Sequence, residues 1–102
     1  MKSTFRVLLV AMAVAAGASA TQAIPADIRV FVRNADTCEH LAGEWDSDLS
    51  PARKREIERG VDKFCLAAQR QLQQVEVKYR GDRTLRALIA RHSHDAVRSY
   101  RK

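Results

Sequence analysis

From Ile57 to Tyr79 the apolar positions Ile57, Val61, Phe64, Ala68, Leu72, Val75 and Tyr79 follow one another at gaps of three or four. That spacing matches the α-helical period, so the segment predicts an amphipathic helix of about six turns with one apolar stripe. A stripe this long must be covered by other elements, because an uncovered one would face water along its whole length. Ser50-Pro51 marks the start: the serine oxygen can cap free amides, and proline fits the first turn, where no amide partner is needed. Gly81 marks the stop, and Gly60 is a position where the helix can bend.

Two further segments can supply the cover. Before the long helix, Ile28, Phe31, Ala35, Cys38 and Ala42 recur at three and four, with Pro25 placed to open the helix and Gly43 to cap it. A strand through Ile28, Val30 and Val32 is the rival, but the three-four pattern continues past Asn34, where the alternation ends. After the long helix, Asp82 can cap a third helix whose inward stripe is Leu85, Leu88, Ile89, His92, Ala96 and Tyr100. The expected fold is all-α: a small three-helix bundle, or a helical hairpin with a third arm.

The first residues read as an export signal. Lys2 and Arg6 precede an apolar run from Val7 to Ala18, and Ala18-Ser19-Ala20 offers signal peptidase a cut after Ala20, with a second option after Ala23. The run of about a dozen residues is short of the roughly 20 that span a bilayer, so no transmembrane segment is expected after cleavage. The domain reading is therefore a signal peptide over 1–20 and one small helical domain over 21–102, periplasmic or secreted. Loss of Lys2 and Arg6 leaves the mature chain at +4, against +6 for the full 102 residues.

Cys38 and Cys65 are the only cysteines, and in an oxidising compartment they are expected to form one disulfide. Closing that loop is worth about 3.5 kcal/mol in the chain-entropy model, a large share of the stability of so small a domain. The pairing carries a geometric demand. If the first two helices folded back symmetrically about 44–50, Cys38 would face a position near 56, about 13 Å along the helix from Cys65. Either the loop must run back along the body or the helix must break near Gly60, and both would pack the loop, with Trp45, onto the body.

Catalytic and metal-binding patterns are weak. Cys38, His40, Cys65 and one of His92 or His94 lack the paired spacing of zinc sites, and oxidation would consume the thiols. His92 and His94, two apart, point to opposite sides of a continuous helix. Asp46 and Asp48 lack the glycine and distal glutamate of a calcium loop, and no serine or cysteine sits beside a base in a nucleophilic arrangement. No catalytic residue, cofactor or metal is expected.

Charge is distributed more pointedly. Residues 21–77 hold eight Lys or Arg against ten Asp or Glu, and residues 78–102 hold eight against two. On a continuous third helix Arg91, His94, Arg98 and Arg101 would line one face, opposite the apolar stripe and open to an anionic surface. The opposite sign gathers at Glu44, Trp45, Asp46 and Asp48, a candidate docking loop for a basic protein. A nucleic-acid partner is not expected.

The run Cys38-Glu39-His40-Leu41-Ala42-Gly43-Glu44, with Cys65 and Lys78-Tyr79, resembles a loose group of small exported proteobacterial proteins. These carry two cysteines and a Cys-x-His-aromatic-small-Gly-Glu segment. The likeness covers roughly 36–88 and departs at Leu41, where an aromatic is common. It implies the disulfide, the helical fold and a structural turn at His40, Gly43 and Glu44, and it brings no catalytic role. A more distant likeness to small two-cysteine helical lysozyme inhibitors of the cell envelope implies an acidic contact surface, which only the loop around Trp45 could provide. The function expected is a non-catalytic binding protein of the bacterial envelope. Its partner is an unidentified envelope protein or, in the alternative, an anionic surface such as lipid or lipopolysaccharide head groups.

Overall fold

A computed structural model of the chain describes residues 23–101, so the expected signal peptide lies outside the described residues. The helices are α1 (Ala26–Glu44), α2 (Pro51–Lys78), α3 (Arg83–Arg91) and the single turn α4 (Asp95–Arg98), and no strand is present among the described residues. Two of the expected caps form. Ser50 accepts from the Arg53 amide at 3.1 Å with Pro51 in the first turn, and Asp82 accepts from the Leu85 amide at 3.0 Å. Gly43 does not end α1 as a left-handed cap. No glycine among the described residues has a positive φ, and the helix runs through Gly43 to Glu44 before Trp45 turns extended. Gly81 likewise lies outside the long helix, which already stops at Lys78 with the Tyr79 amide bonded to the Val75 carbonyl.

α1 and α2 pair antiparallel, and the cross-links between them give the register. Tyr79 donates its hydroxyl hydrogen to Asp27 at 2.8 Å, Asn34 donates to Gln71 at 3.1 Å, and Cys38 is bonded to Cys65 with Cα atoms 4.8 Å apart. Next along the pair, Leu41 lies against Gly60. At this offset α2 begins about two turns beyond the end of α1, and the linker 45–50 covers the difference by running beside the first turns of α2. Lys54 reaches over the Trp45 ring there, and Arg53 pairs with Glu44 at 2.7 Å. The geometric demand of the disulfide is thus met by the loop, and α2 passes Gly60 unbroken.

The third segment departs from expectation. Instead of one helix through Tyr100, the chain leaves the helix after Arg91 and restarts at Asp95. The amides of His92 and Ser93 tighten onto the carbonyls of Ile89 and Ala90, and Ser93 Oγ donates to the Ile89 carbonyl at 2.7 Å. The restart shifts the inward register, so that Val97 is fully buried while Ala96 is only partly so. α3 rests on α2, whereas α4 contacts both α1 and α2. Gln69, from α2, fastens this last segment by donating to the carbonyls of Val97 and Tyr100, both at 3.1 Å. The Tyr100 hydroxyl adds a bond to Asp62 at 2.8 Å. One apolar cluster joins all four helices, from Ile28, Phe31, Ala35 and Cys38 through Cys65, Ala68, Leu72 and Val75 to Leu85, Ile89, Val97 and Tyr100.

Candidate functional site

The overhang of α2 leaves a cleft of about 320 Å³ beside the linker. Ala42, Trp45, Ile57 and Val61 give it an apolar floor, Glu58 and Asp62 contribute acids, and Tyr100 and Arg101 close it from the C-terminal segment. Trp45 is held there by local geometry. The chain leaves α1 extended at Trp45, and an Asp46 side-chain oxygen then accepts from the Asp48 amide at 2.9 Å, folding the linker into a turn. Trp45 is 46% exposed, a large fraction for the only tryptophan. The Lys54 ammonium sits 5.4 Å from its ring centroid, so this aromatic face already holds one cation.

The members of the acidic loop play different parts. Glu44 is engaged on both sides, by His40 at 2.8 Å and by Arg53 at 2.7 Å, which ties the end of α1 to the start of α2. Arg53 also pairs with Glu56, and its guanidinium is held above its ordinary value chiefly by that bond. Asp46 and Asp48 are exposed beside Trp45. His40, Gly43 and Glu44, expected as a turn, all lie within the final turns of α1.

The four basic residues assigned to one helical face do not share one, because the break at 92–94 separates them. Arg91 ends α3 in solvent, Arg98 pairs with Glu76 at 2.9 Å, and Arg101 lines the Trp45 cleft. His94 turns inward to Asp36 and Glu39 and is only 18% exposed. Arg83 and Arg86 flank a second open hollow, with Glu76 opposite, in a cleft of about 540 Å³ along α3. Their three-residue spacing on a helix was the available signal in the sequence.

The opened backbone also corrects the expectation that His92 and His94 diverge. His92 Nδ1 lies 2.8 Å and His94 Nε2 2.9 Å from the same oxygen, Asp36 Oδ1, and the second nitrogen of His94 lies 3.0 Å from Glu39 Oε1. Partial burial pushes the Asp36 carboxyl up, and the bonds from His94 and His92 more than offset this, leaving it below the ordinary aspartate value. Asp36 and Glu39 are one turn apart on α1, a spacing that gained meaning only once the distant histidines came to meet it. The four-residue zinc set weighed from the sequence does not assemble: both cysteines are oxidised and His40 is paired with Glu44.

Among the described residues no helix is long and apolar enough to cross a membrane. No protein-family model, curated protein or solved structure matches this chain.

Proposed function

We propose that this chain is an exported, non-catalytic interaction module of the bacterial cell envelope, and that it docks a basic segment of a partner protein on Trp45 and its acidic rim. The carrying observation is the half-exposed tryptophan on an apolar floor, with Asp46, Asp48 and Glu58 exposed around it. An aromatic anchor ringed by charge is the usual anatomy of a small protein-binding site. The Lys54 ammonium over the ring shows that this face accepts a cation, and a lysine or arginine of the partner would displace it there. Export is supported by the cystine, a bond favoured in oxidising compartments, and by the leader pattern at 1–20.

The anionic-surface alternative loses the helical face on which it relied, since His94 and Arg98 are engaged by the protein's own acids. A lysozyme-inhibitor-like role is a special case of the docking proposal, because a lysozyme is a basic partner.

A photo-crosslinker placed at Asp48 in the exported protein tests the reading. It should capture a discrete envelope protein through a Lys- or Arg-rich segment. With that partner purified, Trp45→Ala should weaken binding about tenfold or more while helicity is unchanged, and added salt should weaken the wild type. Equal binding by Trp45→Ala, or crosslinks scattered over unrelated proteins, would overturn the proposal.

A further inference from the structure

The geometry points to a binding site for a divalent transition-metal cation, of the zinc, nickel or copper type, formed by Asp36, His92 and His94. One donor atom from each of the three residues lies within 4.8 Å of the others, and Asp36 Oδ1 stands 2.8 Å from His92 Nδ1 and 2.9 Å from His94 Nε2. They come from the middle of α1, the C-cap of α3 and the N-cap of α4, so the site exists only in the folded chain.

Four features fit a metal. Two imidazoles with one carboxylate are a donor set for borderline transition metals, whereas calcium and magnesium favour oxygen alone. Around a tetrahedral ion with bonds of about 2.0–2.1 Å, donor atoms stand roughly 3.4 Å apart. The Asp36 oxygen, now 2.8 and 2.9 Å from the two nitrogens, would withdraw by about half an ångström while the rings close on each other. The two rings are already neighbours, with centroids 6.0 Å apart. The outer nitrogen of His94 faces Glu39 Oε1 at 3.0 Å, the carboxylate–histidine pairing that orients a metal-ligating imidazole and raises its basicity. Finally, Asp36 is half exposed, so the ion can enter from solvent and keep a water or a partner's group as fourth ligand.

The backbone supports the same reading. Histidines two residues apart diverge on a helix, and here the helix is open between Arg91 and Asp95, which lets both rings reach one oxygen. The bound ion would stand where hydrogen bonds now join the rings to Asp36, and it would tie α1 to the α3–α4 junction.

The test uses the mature, tag-free protein and Zn²⁺ alone, followed by calorimetry and thermal melting, with Co²⁺ as an optical probe. One ion should bind per chain, the melting temperature should rise by several degrees at excess zinc, and Co²⁺ should develop visible d–d absorption. His92→Ala and Asp36→Asn should weaken binding by well over tenfold, Glu39→Gln by about tenfold, and His40→Ala not at all. In the wild type, zinc should shift the ring resonances of His92 and His94 together and leave those of His40 in place, a readout that needs no variant to fold. No binding at millimolar zinc, binding unchanged in His92→Ala, or a response centred on His40 would overturn the inference.

Discussion

A β-carbon added to Gly60 would stand 2.6 Å from Leu41 Cδ1, so the glycine in the first half of α2 leaves room for that leucine side chain of α1. Gly60 therefore has a packing role, and the helix pays for it in propensity, by about 1 kcal/mol relative to alanine. Gly60→Ala should release that amount only where the leucine is absent. In a Leu41→Ala background the change should stabilise by about 0.5–1 kcal/mol, and in the wild type by less, because the leucine methyl must move. Urea unfolding of the four proteins measures the coupling, and equal effects in both backgrounds would remove the contact from the account.

The Cys38–Cys65 bond should be visible as two hydrogens missing from the intact mass of the exported protein. Reduction, or replacement of both residues by alanine, should cost about 3–3.5 kcal/mol and lower the melting temperature by well over ten degrees for a domain this small. Uptake of two alkylating groups without reductant would contradict the bond.

Asp27 binds together the open ends of α1 and α2. It accepts from the Tyr79 hydroxyl and pairs with Lys78 at 3.0 Å, and those bonds, Tyr79 first, hold its carboxyl below the ordinary aspartate value. A depressed carboxyl adds stability above the unfolded-state value near 4, and that share is lost as pH falls through the lower folded value. Between about pH 5 and pH 2 the wild type should lose stability more steeply than Asp27→Asn. Parallel melting curves against pH would remove this link.

Gln69→Leu should loosen the C-terminal segment while leaving the α1–α2 pair in place. The change strips the side-chain donor from the Val97 and Tyr100 carbonyls, at a cost of about 1–3 kcal/mol. Hydrogen exchange should quicken from Ser93 onward, and trypsin should cut sooner at Arg91 and Arg98. Unchanged protection there would assign the docking of α4 to Val97 burial and the Tyr100, His94 and Arg98 contacts without Gln69.

What was legible in the sequence was local. The stripe from Ile57 to Val75, the Ser50-Pro51 start and the Asp82 cap each depend on neighbours within one turn, and each is present. The path of the linker was half legible for a different reason: the two cysteines impose a register that equal arms about 44–50 could not meet, which left a returning loop or a break near Gly60. The break at His92–His94 was hidden because Leu85, Leu88, Ile89, Ala96 and Tyr100 keep helical spacing straight across it. Its cause is tertiary, since Asp36 and Glu39 engage the histidines from another helix and Val97 fills the space between α1 and α2. The cleft was half legible. The acidic loop and its tryptophan stood out, but Ile57, Tyr100 and Arg101 join it only through the overhang of α2 and the return of the C-terminal segment.

The cystine sits near the middle of α2 and bridges to α1 on the far side of the linker. A protease that severs the linker between Trp45 and Ser50 would therefore produce a nicked molecule and no released fragment. The two pieces would stay covalently tied, with most of the α1–α2 interface intact, and the intact mass would rise by the one water consumed. Reducing agent would then decide whether the nick becomes a loss.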